Sequence, residues 1–179
     1  QRGYRNVINE AIRLNEAGRD TQLAMETSGH GAFKENYFLD DGAYTITRIL
    51  IKLAQLRQEG RELNDLLSAF TEPLEAAEFR PKLLTDDFVS LGKEVMADLE
   101  HLVGESEGWS LVPENYEGVR VAVAPGQGDG WFLLRLSLHD PVLPLNIEAR
   151  KSGGVQLIAA QLSAFLSKWP EIDISDFER

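Results

Sequence analysis

Apolar residues along the chain recur at two periods, about 3.6 and 2, and each predicts elements of its own kind. Val7, Ile8, Ala11, Ile12 and Leu14 share one helical face, which predicts a helix over about 4–17 closed by Gly18. Gln22 to Glu26 reads as a short strand. From Gly42 the residues Tyr44, Ile46, Ile49, Leu50, Leu53 and Leu56 form an apolar face running to Gly60, a second and longer helix. Leu63, Leu66, Leu67 and Phe70 predict a short helix that ends before Pro73.

Beyond Pro73 the pattern changes. Glu75 to Leu83 reads as a strand, with Pro81 confining its end to an edge or a bulge. Asp86 or Asp87 caps a helix carrying Val89, Val95, Leu99, Leu102 and Val103 as far as Gly104. Val119, Val121 and Val123 alternate with Arg120 and Ala122 as a half-buried strand. The glycine-rich stretch from Pro125 to Gly130 is a hairpin loop, Trp131 to Ser137 returns as its partner, and Val142 to Glu148 makes a further strand. Gly153 and Gly154 lead into a helix with Val155, Ile158, Leu162, Phe165 and Leu166 on one face, stopped by Trp169-Pro170. The acidic tail from Glu171 reads as a surface segment whose Ile172, Ile174 and Phe177 are available to dock on a neighbour.

These elements divide the chain into two units, about 1–71 and 72–179. The first has two principal helices and a single strand, too little to close a sheet or cover both helix faces by itself. The second is an open sheet with two helices. The fold class is mixed α/β, with an incomplete α/β unit followed by an open antiparallel sheet. A start at Gln1, without an initiator Met, agrees with a chain that is part of a longer one.

Composition narrows the function. A hydrophobic content of 43% is enough to fill a core. A net charge of −11 with no basic run argues against nucleic acid as a partner, so an anionic ligand must meet a local cluster of positive groups. The chain has no cysteine, which excludes disulfides and thiolate metal sites, and its His30, His101 and His139 lack zinc-like spacing. No apolar run approaches the roughly 20 residues of a membrane span, and the start has no signal-peptide core. The expectation is a cytoplasmic protein that engages no membrane.

Two stretches carry candidate chemistry. Glu26-Thr27-Ser28-Gly29-His30 places a carboxylate, a hydroxyl, an imidazole and a flexible glycine at the end of a strand, followed by Lys34-Glu35 and by Asp40-Asp41-Gly42 at the start of the long helix. Such a loop suits the hydroxyls of a polar ligand, although the same residues in a surface loop are commonly just solvated. Asp40 or Asp41 is in place to cap the helix. Arg135-Leu136-Ser137-Leu138-His139-Asp140-Pro141 gathers a guanidinium, a hydroxyl, an imidazole and turn amides, a set that suits phosphate. An ordinary hairpin with a surface arginine is the alternative there. Arg150-Lys151-Ser152-Gly153-Gly154 adds positive charge and a helix N-terminus.

The first stretch resembles the sugar-recognition loop of the α-D-phosphohexomutases, E-x-S-G-H followed by D-D-G, and Gly3-Tyr4-Arg5 is similar to the Gly-aromatic-Lys turn that precedes it. Gly130-Trp131 through Arg135-Leu136-Ser137, with Pro141 and Glu148, resembles the family's phosphate-binding loop. The resemblance runs through nearly the whole chain in the family's order. It departs at Leu138 and His139, which stand where the family's R-x-S-N-T-x-P pattern has Asn and Thr. An amide and a hydroxyl are thereby exchanged for an alkyl group and an imidazole.

The resemblance implies the carboxy-terminal half of a four-domain phosphoglucomutase/phosphomannomutase. Residues 1–71 would be the end of the third domain, and 72–179 the fourth, an open antiparallel sheet with two helices of the TATA-box-binding-protein-like kind. It implies an enzyme of the isomerase class that interconverts hexose 1-phosphate and hexose 6-phosphate through a phosphoserine and a bisphosphate intermediate. The family's phosphoserine loop and its D-x-D-x-D magnesium loop have no counterpart in this sequence. Mg2+ is therefore expected in the full-length enzyme, no cofactor in this chain, and no turnover from it alone. Glu26, Ser28, His30 and Arg5 are the implied sugar contacts, with His30 also an acid/base candidate in the full enzyme. Arg135, Ser137 and His139 are the implied phosphate contacts. The implied partners are a hexose phosphate and the amino-terminal domains of the same polypeptide. The alternative, from a different class, is a non-catalytic sugar-phosphate-binding or structural module.

Overall fold

Thirteen residues from Tyr4 to Glu16 form helix α1, the first element of the computed structural model, which describes residues 3–113, 115–137 and 140–178. The chain divides into two units, 1–71 and 72–179.

In the first unit α1 is followed by β1 (Leu23–Met25), which pairs antiparallel with β2 (Gly31–Phe33) in the register Leu23 to Phe33, Ala24 to Ala32 and Met25 to Gly31. The single strand expected here is thus a hairpin. Helix α2 (Gly42–Gln58) starts at Asp41, whose Oδ1 accepts the Tyr44 N–H at 2.9 Å, while the Thr45 hydroxyl donates to the Asp41 carbonyl at 3.0 Å. Asp41 is therefore the N-cap, and Asp40 is left for another task. The expected short helix over 63–70 is a 3-10 turn over Leu63–Leu67. Ala11, Ala24 and Ala32 form the buried centre of this unit, with Val7, Ile8 and Phe38 packed around them.

In the second unit β3 (Glu75–Phe79), β5 (Trp109–Leu111), β6 (Val119–Val123), β7 (Gly130–Leu134) and β8 (Leu145–Ala149) form one antiparallel sheet in the order β3-β8-β7-β6-β5. The expected strand over 75–83 is broken at Pro81 into β3 and β4 (Lys82–Leu83), as a residue without an N–H requires, and β3 lies at the sheet's edge. The strand expected from Val142 begins at Leu145 because Pro144 cannot donate to the ladder. The neighbouring backbone is still paired, with Arg135 N–H to Pro144 C=O and Ser137 N–H to Val142 C=O, both at 3.1 Å.

One face of the sheet is covered by helices α3 (Phe88–Glu105), capped by Asp87, and α4 (Gly154–Leu166). Val95, Leu99 and Val103 of α3, and Ile158, Leu162 and Leu166 of α4, meet the inward side chains of β6, β7 and β8 in a continuous core centred on Phe132. On the other face the register aligns Ala122, Trp131, Glu148 and Ala76, and beside them Arg120, Leu133, Asn146 and Glu78. Arg120 lies over the Trp131 ring, 4.7 Å from its centroid, and the indole N–H donates to Glu148 at 3.0 Å.

The tail turns back onto its own unit. β9 (Ile172–Asp173) pairs with β4, Ile172 is buried, and Phe177 stacks on Phe79 with ring centroids 4.7 Å apart. Those side chains, expected to be available to a neighbour, thus close the edge of the sheet. No helix among the described residues is long and apolar enough to cross a membrane.

Candidate functional site

The polar groups of the first stretch converge on the turn joining β1 and β2. The Glu26 N–H donates to the His30 carbonyl and the Gly29 N–H to the Glu26 carbonyl, both at 3.0 Å, so the backbone from 26 to 30 forms a closed turn. Ser28 lies exposed at its tip. The Glu26 carboxylate reaches the start of α1, where its Oε1 accepts the Gly3 N–H at 2.7 Å. That N–H belongs to the helix entry, where backbone donors lack intrahelical acceptors and a carboxylate is favoured.

His30 is held from two sides. Its Nδ1 lies 2.7 Å from Asp40 Oδ2, and the Tyr4 ring stacks on the imidazole with centroids 4.8 Å apart and planes 19° apart. The second oxygen of Asp40 accepts the Gly31 N–H at 3.2 Å. Arg5 stays beside Tyr4, its Nε donating to the phenol oxygen at 3.1 Å. Of the four sugar contacts expected in this unit, Glu26 and His30 are tied into one cluster with Gly3, Tyr4 and Asp40, Arg5 joins it through Tyr4, and Ser28 flanks it. Tyr4 and Asp40 were not expected as partners of His30. Their pairing depends on the hairpin and on the return of the chain to α2, and no local spacing records either.

The second candidate site follows β7. Leu136 packs on the core and lies over Gly92 of α3, where a Cβ would come within 2.5 Å of Leu136 Cδ1. With Leu136 turned into the core, alternation along the extended chain puts Arg135 and Ser137 together on the opposite face. Gly118, at φ 66°, packs so closely that a Cβ would lie 2.1 Å from the Leu134 carbonyl oxygen and 2.7 Å from Arg135 Cβ, so a larger residue would displace the start of the loop. The Ser137 hydroxyl accepts the Asp140 N–H at 3.2 Å. The hydrogen bond and charge of Arg80 hold the Glu78 carboxyl below the usual range, and half-buried Arg135 adds the smallest part. Leu138 and His139 lie outside the described residues, so the phosphate role expected of His139 has no geometry here.

Where the sequence suggests an anion-binding helix start at Arg150 to Gly154, the structure supplies an internal anion. Glu75 accepts the Gly153 N–H at 2.7 Å and the Val155 N–H at 3.1 Å, and these backbone bonds hold its carboxyl below the ordinary range. The start of α4 is thus already neutralised by β3. Among the described residues no group of three or more His, Asp or Glu is placed to hold a metal ion.

Residues 1–74 match the family model for phosphoglucomutase/phosphomannomutase, alpha/beta/alpha domain III. A phosphomannomutase/phosphoglucomutase of Pseudomonas syringae pv. tomato is 31% identical over 154 residues, covering 85% of this chain and 30% of that protein. A phosphoglucomutase of Neisseria meningitidis is 30% identical over 151 residues, covering 84% of this chain and 30% of that protein. The crystal structure of a phosphoglucomutase/phosphomannomutase family protein from Burkholderia thailandensis aligns with a TM-score of 0.64 and 26% identity, over 94% of this chain and 31% of that one. The chain spans about 30% of the length of these relatives. Both units lie within the structural match, which covers 94% of the chain, and the chain belongs to the phosphoglucomutase/phosphomannomutase family.

Proposed function

We propose that this chain supplies the sugar- and phosphate-recognition groups of a hexose phosphate mutase, with residues 1–71 as the end of its third domain and 72–179 as its fourth. The observation that carries the reading is the convergence of Glu26, His30, Tyr4, Asp40 and the Gly3 N–H on one exposed turn. Glu26 has one oxygen committed to Gly3, leaving Oε2 to accept from a sugar hydroxyl. Ser28 and His30 add a hydroxyl and an imidazole beside it. Arg5 supplies positive charge at the same turn. Arg135 and Ser137 hold a phosphate through a guanidinium and a hydroxyl on a loop anchored by Leu136, and His139 joins them.

These groups position a substrate. Phosphoryl transfer also needs a nucleophile and charge stabilisation at the migrating group. The chain offers no phosphoserine loop and no aspartate-rich metal loop. The chemical step, its phosphoserine and its Mg2+ then belong to other domains of a longer, cytoplasmic polypeptide. Because a bisphosphate intermediate must be read in two orientations, contacts to paired hydroxyls and one fixed phosphate clamp suit the task. The test is calorimetric titration with glucose 1-phosphate and mannose 1-phosphate, beside a mutase assay of the same sample with Mg2+. Weak binding without interconversion is expected. Metal-dependent interconversion by the pure chain, or no heat at millimolar ligand, contradicts the proposal.

A further inference from the structure

The two consecutive aspartates before α2 do different work. Asp41 caps the helix through the Tyr44 N–H, whereas Asp40 turns both carboxylate oxygens toward the β1–β2 hairpin. The backbone of Asp40 bridges to Ala32, which is wholly buried, and the Asp41 N–H donates to the Gly31 carbonyl at 3.2 Å. With its backbone bridged and Oδ1 on the Gly31 N–H, Asp40 can offer Oδ2 in only a narrow range of directions, and the His30 Nδ1 occupies it at 2.7 Å. Tyr4 fixes the plane of the ring by stacking. An exposed ion pair holds two side chains loosely and adds little to stability. Here one partner is immobilised by contacts that do not involve the imidazole, an arrangement that orients rather than merely pairs.

We propose that Asp40 is a positioning residue that holds His30 in the tautomer protonated at Nδ1, so that the lone pair of Nε2, on the opposite edge of the ring, faces a ligand hydroxyl. A carboxylate accepts only, so the nitrogen facing it must carry the proton, and in the neutral ring the other nitrogen must then be the acceptor. The identity of the hydroxyl as that of a hexose phosphate rests on the proposed function; the tautomer rests on geometry alone.

Long-range 1H–15N spectra of the labelled chain in alkaline buffer, where imidazole is neutral, test this without any activity. The wild type is expected to show a protonated, pyrrole-type His30 Nδ1 and a pyridine-type Nε2. Asp40→Ala should shift His30 toward the Nε2-protonated form that free histidine prefers. Asp40→Asn, able to donate to Nδ1, should reverse the tautomer outright. A pyridine-type or averaged Nδ1 in the wild type, or an unchanged tautomer in Asp40→Ala, overturns the proposal, and the wild-type spectrum does so even if a variant fails to fold. Adding glucose 6-phosphate should then move Nε2 and leave Nδ1 in place. The expected tautomer with no response to a hexose phosphate would support the positioning role while removing the sugar-phosphate reading.

Discussion

The two units of this chain bury their apolar residues to very different depths. In the second, α3 and α4 seal one face of a five-stranded sheet around Phe132, Leu134, Leu145 and Ile147, each at most 1% exposed. In the first, the buried apolar residues among those described are three alanines at the packed centre and Leu56 near the end of α2, and α2 leaves Ile46 and Leu50 60% and 58% exposed. Burial stabilises in proportion to apolar area, so an alanine centre contributes far less than an aromatic and aliphatic one. The consequence reaches the candidate sites. The turn at 26–30 is held by polar contacts at Gly3, Gly31 and Asp40, whereas the Arg135 loop is held by Leu136 packed on a core.

Substitutions can break or sharpen this contrast. Phe132→Ala should cost about 3–5 kcal/mol in urea unfolding of the second unit, the usual loss for a buried ring. Leu50→Ala on α2 should stay within about 0.5 kcal/mol, as for other exposed positions. Equal losses at the two would abolish the contrast. Next in size, Gly92→Val drives a side chain into Leu136, with an expected cost of about 1–3 kcal/mol. Because Leu136 places Arg135, the same change should weaken phosphate binding; full affinity in a destabilised protein would detach the loop from its anchor.

The polar turn should respond in a graded way. Glu26→Ala removes the acceptor for the Gly3 N–H, a hydrogen bond of about 0.5–1.5 kcal/mol, and should speed amide exchange at Gly3. Glu26→Gln can keep that bond while turning the other oxygen into a donor, so it should spare the exchange rate and still weaken sugar binding. Parallel behaviour of the two variants would mean that Glu26 serves only the helix start. The smallest effect is expected from acid. The backbone N–H bonds to Glu75 lower its carboxyl pKa in the folded state. A lowered folded value means that its contribution is complete above the unfolded value, about 4.3, and fades as pH falls through the folded one. Thermal melts of wild type should therefore lose stability below about pH 4.3, and Glu75→Gln should flatten that part of the profile. An identical acid limb in both would remove Glu75 from the account.

Elements with a long periodic signature were legible in the sequence. The Val119 to Val123 alternation, the α3 face and the α2 start at Asp41 all stand in the structure close to where the pattern puts them. β2 and β5 were not legible, because three residues such as Gly31-Ala32-Phe33 or Trp109-Ser110-Leu111 hold only a single repeat of the two-residue period, too little to set a strand apart from a loop, and only a partner strand makes them strands. The same holds at the candidate site. Glu26 through His30 is visible as a crowded polar turn, but the contacts from Glu26 to Gly3 and from His30 to Asp40 span 23 and 10 residues and exist only once the hairpin has formed. A paired Asp-Asp before a helix reads as two candidate caps. The fold divides them into one cap and one partner for an imidazole.

The central claim is that recognition resides on those two loops. Its most direct test is residue-resolved amide mapping of the chain during titration with glucose 1-phosphate. The account predicts shifts confined to the neighbourhoods of Glu26 to Gly31 and of Arg135 to Ser137, with the exposed face of α2 unmoved. Shifts that avoid both loops, or that fall on the Ile46 and Leu50 face instead, would contradict it.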